Sequence, residues 1–268
     1  MSERSAVDRI DEPVTRSRLV SSFRDLGIER GETVLVHASL SAIGWTVGGP
    51  QAVVDALFET VTRSGTVVMP THTTQYSDPT AWTDPPVPDE WIETILECRP
   101  AYRPSVTPTR SMGAIAECFR TYPGTVRSRH PIYSFAAWGY DAEAIVSDHE
   151  FDYGLGDGSP LARVYDLDGK VLMLGTDYRT NTSLHLAEHR ADVPLETSTT
   201  RVPVLEAGDR VHVEIETLET RTDDFVELGT AFEAQTDVHA GTVGAAEATL
   251  LDQRSLVEFA RDWFETNR

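Results

Sequence analysis

Short apolar runs alternate with amphipathic stretches along the first seventy residues of the chain. The runs at 33–37 and 66–70 are almost continuously apolar, which is typical of strands buried on both faces. Apolar residues recur at helical spacing within 13–27, where Thr15 can cap the helix, and again within 53–61. This order of strand, loop, helix and strand predicts an α/β fold, with a central mixed or parallel sheet that is flanked by helices.

The same patterns predict elements further along the chain. We expect helices at 111–120 and 255–264, and strands at 133–138, 171–174 and 211–216. Residues 71–110 break the pattern, because seven prolines interrupt regular structure there. A long irregular segment inside a compact domain is usually functional, although a surface excursion packed down by Trp82 and Trp91 is the simpler alternative. Because no repeat or linker is evident, residues 1–268 are expected to form a single domain.

The composition adds an unusual charge. Among 23 basic residues only Lys170 is a lysine, and the net charge is −20. Such a surface repels nucleic acid and anionic membranes and attracts polycations, but a halophile-like adaptation to salt or a GC-rich genome is the commoner explanation of such a charge and is compatible with it. The chain has no long apolar run and no secretion signal, so we expect a cytoplasmic protein. Cys98 and Cys118 lack metal-ligand spacing and are expected to be free thiols.

Candidate chemistry centres on the segment that follows Thr182. If this segment is helical, His185, Glu188 and His189 share one face at positions i, i+3 and i+4. An imidazole held by a carboxylate can take a proton from a nucleophile near neutral pH. The same residues match the H-x-x-E-H pattern of zinc peptidases, in which the histidines bind the metal and the glutamate acts as base. A buried histidine with a purely structural role is the third interpretation.

Several loops are further candidates. Residues 37–44 leave the carboxyl end of a buried strand, where α/β proteins place ligands, and their small side chains allow backbone amides to approach an anion or a pantetheine arm. Taken alone, this segment is equally well interpreted as a simple turn. Gly48 and Gly49 precede a predicted helix and add amide donors at its N-terminus. Residues 129–139 and 152–160 are most simply structural. The sequence contains neither a P-loop nor a dinucleotide fingerprint, and no serine occupies a G-x-S-x-G elbow.

Taken together, these segments resemble the aminoglycoside N3-acetyltransferase family, the antibiotic N-acetyltransferases. The resemblance extends in order from about residue 14 to residue 264. The motifs that carry it are 36–44 (VHASLSAIG), 69–73 (MPTHT), 107–113 (TPTRSMG), 130–131 with 134–139, 155–160 (LGDGSP), Gly175 with 181–188 (NTSLHLAE), and 241–259.

The resemblance implies the α/β fold of that family and acetyl-coenzyme A (acetyl-CoA) as co-substrate, with no metal. It implies transfer of the acetyl group to the 3-amino group of a 2-deoxystreptamine aminoglycoside or a related amine, by direct attack on the thioester. His185 is then the general base, and Glu188 either supports it or contacts the substrate. The residues implied to hold the coenzyme are His37, Ser39, Leu40, Ser41, Gly44, Thr73, Thr109, Ser111, Met112 and Gly113.

The implied acceptor carries several positive charges, so we expect carboxylates around its site. The acidic residues of the irregular segments are Asp78, Asp84, Asp89, Glu90, Asp152 and Asp157. Among them, Asp78, Asp152 and Asp157 are the predicted substrate-binding residues. Two other classes remain open, namely a zinc-dependent hydrolase that uses His185 and His189, and a non-catalytic CoA-binding relative. We expect a monomer or homodimer without nucleic-acid or membrane partners.

Overall fold

The helices and strands follow the predicted α/β order. A computed structural model describes residues 3–83 and 85–268. The helices in this part of the chain are α1 (Glu3–Val7), α2 (Arg16–Asp25), α3 (Leu40–Ile43), α4 (Gly49–Val61), α5 (Ile92–Cys98), α6 (Gly113–Phe119), α7 (Ala142–Val146), α8 (Pro160–Asp166), α9 (Ser183–Arg190), α10 (Phe225–Glu233) and α11 (Gln253–Asn267). The strands are β1 (Thr33–Ala38), β2 (Thr66–Pro70), β3 (Val126–Arg127), β4 (Phe135–Gly139), β5 (Lys170–Leu174), β6 (Thr197–Glu206), β7 (Asp209–Leu218), β8 (His239–Val243) and β9 (Ala246–Asp252).

Strand β1 occupies the middle of a seven-stranded sheet with the order β3-β4-β2-β1-β5-β9-β8. It pairs in parallel with β2 on one side and with β5 on the other. The outer pairings of this sheet are antiparallel. The prediction of a mixed sheet flanked by helices is therefore confirmed. Strands β6 and β7 form a separate two-stranded hairpin.

Local sequence explains where several of these elements begin. All five residues of β2 are buried, in agreement with its continuous apolar run. Helix α2 begins after Thr15, whose hydroxyl accepts a hydrogen bond from the backbone N–H of Arg18, as predicted. Helix α8 begins after Ser159, whose hydroxyl accepts from the backbone N–H of Leu161. Capping and apolar runs therefore fix these boundaries.

Helices cover both faces of the sheet, and alternate side chains of β1 enter the two resulting cores. Val34 and Val36 pack with α2 and α4 on one face. Leu35 packs on the other face, in the core that α8, α9, α10 and α11 complete. Since successive side chains of a strand point to opposite faces, His37 lies on the same face as Leu35 and α9.

The segment 71–110 is largely irregular, as predicted, but its proline-free middle part forms helix α5. The guanidinium of Arg99 ties the segment to the hairpin by donating to the carbonyl oxygens of Gln75, Ser77 and Arg201. Trp82 packs inward and donates from Nε1 to the hydroxyl of Ser77 at 2.9 Å, whereas Trp91 is 58% exposed. Only one of the two tryptophans therefore anchors the excursion. Asp84 lies outside the described residues.

The sequence also raised the questions of cysteine pairing and of membrane-spanning helices. Cys98 and Cys118 are free thiols, as expected. None of the helices within residues 3–83 and 85–268 has the length and apolar character needed to cross a membrane.

Candidate active site

A cavity of about 880 Å³ lies at the carboxyl ends of the parallel strands. The chain leaves β1 towards β2 on one side and later returns through β5 on the other, so the strand order changes direction at β1. Ligands of α/β proteins bind in the crevice that such a change of direction leaves. Both loops line this cavity, with Ser39 and Ser41 from the first and Thr176 and Thr180 from the second.

His185 lines this cavity from helix α9. Its Nδ1 atom lies 2.6 Å from Oε2 of Glu188, which confirms that the two residues share a helix face. An ionised carboxylate only accepts hydrogen bonds, so Nδ1 carries the hydrogen and Nε2 of the neutral ring keeps its lone pair. The side chain of His185 is 14% exposed. This geometry suits an imidazole that accepts a proton at Nε2.

Glu188 is fully buried, and both of its carboxylate oxygens have partners within the protein. Oε2 is bound to His185, and Oε1 accepts from Nη1 of Arg268 at 2.5 Å and from the backbone N–H of Arg221 at 3.4 Å. Glu188 therefore has no exposed surface with which to bind a substrate. Of the two roles that the resemblance left open, the geometry fits the orientation of His185.

The first turn of α9 fixes the direction in which His185 points. Oδ1 of Asn181 accepts from the backbone N–H of Ser183 at 3.1 Å, and Nε2 of Gln253 donates to the hydroxyl of Ser183 at 3.1 Å. Leu184 and Leu186 are fully buried in the core beneath. Because these contacts hold the apolar side of the helix against the core, His185 is left on the side of the cavity.

His189, the last residue of the H-x-x-E-H pattern, does not line this cavity. Its ring lies 6.0 Å from that of Tyr153, beside a second cavity of only about 10 Å³. Burial, together with the nearby His185, lowers the pKa of His189 to about 4. Among residues 3–83 and 85–268, no three His, Cys, Asp or Glu side chains are grouped so as to hold a metal ion. The geometry therefore pairs His185 with Glu188 rather than with His189.

Most residues predicted to hold the coenzyme line the cavity. They are His37, Ser39, Leu40, Ser41, Gly44, Ser111, Met112 and Gly113. The structure does not bring Thr73 and Thr109 to it. The buried hydroxyl of Thr73 donates to the carbonyl oxygen of Pro131 at 2.6 Å, and that of Thr109 donates to Glu117 at 2.7 Å. Both hydroxyls are occupied by protein partners, and these two residues hold neighbouring loops together instead.

The predicted substrate-binding carboxylates also have other partners. Asp78 caps a short 3₁₀ turn by accepting from Thr80. Asp152 accepts from the backbone N–H of Glu216 at 2.8 Å, and Asp157 forms an ion pair with Arg190. Within the described part of the chain, the cavity lining contains no Asp or Glu. The structure therefore does not gather these three aspartates around the site.

Three buried polar atoms beside the cavity have no partner among the described residues. They are Nε2 of His37, Nε2 of His72 and Oγ1 of Thr182, and each belongs to a residue that lines the cavity. Burial, with the nearby His185, lowers the pKa of His37 and of His72 to about 3. Both rings are therefore neutral at pH 7, and each presents one N–H donor. An unpaired buried polar group costs about 1–3 kcal/mol, so a bound molecule that pairs with these atoms is stabilised.

Sequence reasoning assigned no role to His72 or Thr182. The signal that was available is position. His72 comes two residues after β2, and Thr182 comes directly before α9. Both therefore belong to segments at the carboxyl edge of the sheet, where ligands bind.

Glycines occupy two positions next to residues that line the cavity. Gly175 has φ +66, and a Cβ atom there would lie 2.3 Å from Cβ of Ala42, so the loops after β5 and β1 approach each other closely. Gly48 and Gly49 have φ +85 and +58, and Gly49 lines the cavity at the start of α4. The backbone N–H of Gly49 donates to the carbonyl oxygen of Thr46 at 2.9 Å, and Pro50 has no N–H, so neither residue supplies the amide donor that the glycine pair predicted.

Sequence comparison agrees with the motifs. The model of the family described as aminoglycoside 3-N-acetyltransferase matches residues 35–265. The SPbeta prophage-derived aminoglycoside N(3')-acetyltransferase-like protein YokD of Bacillus subtilis is 44% identical over 257 residues, which cover 95% of this chain and 94% of YokD. The aminoglycoside N(3)-acetyltransferase VII of Streptomyces paromomycinus is 35% identical over an alignment of 286 residues, gaps included, which covers 99% of this chain and 96% of that protein.

Solved structures share the whole fold. The crystal structure of YokD has a TM-score of 0.95 at 42% identity and covers 98% of both chains. AAC-IIIb in binary complex with CoASH has a TM-score of 0.85 at 34% identity, covering 95% of this chain and 97% of that one. AAC-VIa bound to sisomicin has a TM-score of 0.87 at 33% identity, covering 96% and 99%.

The fold and the similarity to these acetyltransferases together define an α/β acyltransferase. The chain belongs to the aminoglycoside 3-N-acetyltransferase family.

Proposed function

We propose that the protein is an acetyl-CoA-dependent N-acetyltransferase that acts on the 3-amino group of a 2-deoxystreptamine aminoglycoside or a related amine. The observation that carries this proposal is the His185–Glu188 pair at the wall of the cavity. Two relatives of the same fold support it, since one is bound to CoASH and the other to sisomicin.

The loop after β1 and the segment before α6 are the proposed coenzyme contacts. The hydroxyls of Ser39 and Ser41 lie 3.2 Å apart at the cavity, and Ser111, Met112 and Gly113 line it from the opposite segment. Holding the thioester and the amine side by side supplies about 7 kcal/mol or more of the rate enhancement.

The proposed role of His185 is to remove a proton from the amine, which is mostly protonated at neutral pH. Three imidazoles line the cavity, but those of His37 and His72, with pKa values of about 3, are too weakly basic for this task. His185 presents Nε2 with its lone pair, and the carboxylate of Glu188 stabilises the imidazolium that forms. Such a positioned base contributes roughly 10²–10⁴-fold to the rate.

The neutral imidazoles have a complementary proposed role. As the amine attacks, negative charge develops on the thioester oxygen, and a fixed donor in a water-poor site stabilises it. His37 and His72 are neutral, buried and short of hydrogen-bond partners, so an N–H group from this pair is our proposed donor. A neutral imidazole suits this purpose because it can donate a hydrogen bond without giving up its proton.

The experiment that tests the function is a thiol-release assay with acetyl-CoA and a panel of amines. Sisomicin and 3-N-acetyl-sisomicin form the matched pair, and a polyamine and a simple monoamine extend the panel. We expect CoA release with the free 3-amino compound, none with its acetylated form, and a product acetylated at that nitrogen by mass spectrometry and NMR.

Two outcomes would contradict the proposal. The absence of amine-dependent CoA release across the panel would favour a non-catalytic CoA-binding relative. Loss of activity on chelation, with recovery on adding zinc, would favour the zinc hydrolase. Acetylation at a different nitrogen would correct only the position of transfer.

A further inference from the structure

The buried guanidinium of Arg268 lies behind the His185–Glu188 pair. Its Nε and Nη2 atoms donate to the two oxygens of Asp224 at 2.8 and 2.7 Å, and Nη1 donates to Oε1 of Glu188. Nη2 also lies 3.4 Å from the carbonyl oxygen of Arg221, and the guanidinium carbon lies 3.8 Å from the ring centroid of Phe264. The side chain is only 5% exposed. One planar group thus occupies a fixed place where α9, α10 and α11 meet.

We infer that Arg268 is a positioning residue for acetyl transfer: it keeps Glu188 ionised, and Glu188 in turn keeps the hydrogen of His185 on Nδ1. This inference rests on the proposed function only in assigning the base to His185. Arg268 is not among the residues that line the cavity, so it acts through Glu188 rather than on a substrate.

The electrostatic reason lies in the burial of Glu188. Its carboxylate has no exposed surface, and the guanidinium of Arg268 is the permanent positive charge bound to it. Aromatic rings enclose this region, with Phe225 5.1 Å from the ring of His185 and 6.1 Å from that of Phe264. Without the guanidinium, burial favours the neutral carboxylic acid. Arg268 therefore supplies the charge that holds Glu188 in its anionic form.

The protonation state of Glu188 decides which nitrogen of His185 is free. An anionic Glu188 can only accept, so Nδ1 carries the hydrogen and Nε2 can take a proton. A protonated Glu188 donates to Nδ1 instead, and the neutral ring then carries its hydrogen on Nε2. In that tautomer, Nε2 has no lone pair for the proton of an amine. Loss of Arg268 would thus leave the imidazole in place but facing the cavity with the wrong tautomer.

Arginine is suited to this place by its shape. Its fork holds Asp224 with two parallel hydrogen bonds and still presents Nη1 to Glu188. A lysine ammonium keeps the charge but has no planar fork with which to hold both carboxylates in this geometry. Arg268→Lys should therefore keep part of the function that Arg268→Met removes.

The test combines ¹⁵N NMR of histidine-labelled protein with kinetics, on full-length Arg268→Met and Arg268→Lys. His185→Gln assigns the signals of His185, and Arg261→Met is the control. Arg261 lies in α11, the helix that Arg268 directly follows, and pairs with Asp262, but it is an exposed residue outside the network. In the unaltered protein we expect the Nδ1–H tautomer at His185, and in Arg268→Met the Nε2–H tautomer.

For Arg268→Met we expect kcat to fall roughly 10²-fold, because Nε2 of the wrong tautomer cannot accept the proton of the amine, with little change in KM. Arg268→Lys should fall between Arg268→Met and the unaltered protein, and Arg261→Met should match the latter. If Arg268→Met does not fold by circular dichroism, Arg268→Lys and Asp224→Asn carry the test, both with intermediate loss. An unchanged tautomer in the folded variants would overturn the inference. If the tautomer changes while His185→Gln retains full turnover, the positioning role stands and the proposed base is wrong.

Discussion

Nδ1 of His185 and Oε2 of Glu188 lie 2.6 Å apart on consecutive turns of one helix, and only the imidazole reaches the cavity. The carboxylate stays fully buried behind it. In the proposed mechanism the pair therefore has a reactive side and a supporting side, and substitutions on the two sides should have different consequences.

On the reactive side, His185→Gln should lower kcat at least roughly 100-fold, because the proton acceptor is lost while the size of the side chain is nearly kept. Coenzyme affinity should change little, since the proposed contacts lie on the loop after β1 and on the segment before α6. Steady-state thiol release measures the first effect, and calorimetric titration with CoA measures the second. Near-normal turnover in a folded variant would refute the role of His185 as base.

On the supporting side, Glu188→Ala should destabilise the fold as well as slow the reaction. Removal of this carboxylate leaves Arg268 paired only with Asp224, and breaking a buried ion pair costs about 3–5 kcal/mol. Asp157→Ala is the matched control, because the Asp157 side chain is 74% exposed and its ion pair with Arg190 should contribute no more than about 1 kcal/mol. Urea denaturation compares the two, and equal losses would show that burial of the pair is unimportant.

A substitution between the two loops that line the cavity should separate the effect of a steric collision from that of backbone strain. Gly175→Ala places a Cβ atom 2.3 Å from that of Ala42, so the loops after β5 and β1 must move apart, and KM for acetyl-CoA should rise. Gly208→Ala is the control: its φ is +95, and nothing lies within 4 Å of the added atom. That variant should show only the strain of a left-handed residue, about 1–2 kcal/mol, without a change in KM. The same KM in both variants would contradict this account.

Buried neutral histidines should make the protein sensitive to mild acid. Burial, reinforced by the nearby His185, lowers the pKa of His72 to about 3, and burial lowers that of His149 to about 4. Between these values and the unfolded value of about 6.5, the unfolded chain binds more protons than the folded one. The stabilising contribution of these groups is therefore complete above pH 6.5 and is lost as the pH falls towards 4 and 3.

Urea denaturation midpoints measured between pH 8 and pH 4 test whether the stability falls as the pH is lowered. His72→Phe suits the aromatic surroundings, because His72 lies edge-on to Tyr133 and Phe135, and it removes one of the titrating groups. The difference in stability between this variant and the unaltered protein cancels the effect of the −20 net charge on both. That difference should shift in favour of His72→Phe below pH 6.5. A difference that is independent of pH would contradict a buried neutral His72.

Elements with a strong local pattern were predicted well from sequence. The apolar runs of β1 and β2, the cap at Thr15 and the helical spacing of His185 and Glu188 all depend on neighbours within a few residues. Helix α5 was missed because nearby prolines obscured a short stretch without them. Strands β8 and β9 were also not predicted, since β9 becomes a strand by pairing with the distant β5.

The site could be predicted only in part, because it depends on contacts between segments that are distant in the sequence. Arg268 meets Glu188 across 80 positions of sequence, and no local periodicity signals such an ion pair. The predicted coenzyme residues on the loop after β1 reached the cavity because strand order alone determines that edge. Thr73, Thr109 and the three aspartates instead found nearby hydrogen-bond donors or acceptors, which composition does not reveal.

The crevice between β1 and β5 arises from the direction in which the chain leaves the sheet, not from an inserted loop. The strand order therefore determines the floor of the crevice, whereas its walls consist of surface segments that tolerate substitution. Over evolutionary time such a protein can exchange one amine for another by altering those walls. The crevice itself stays where the strand order places it.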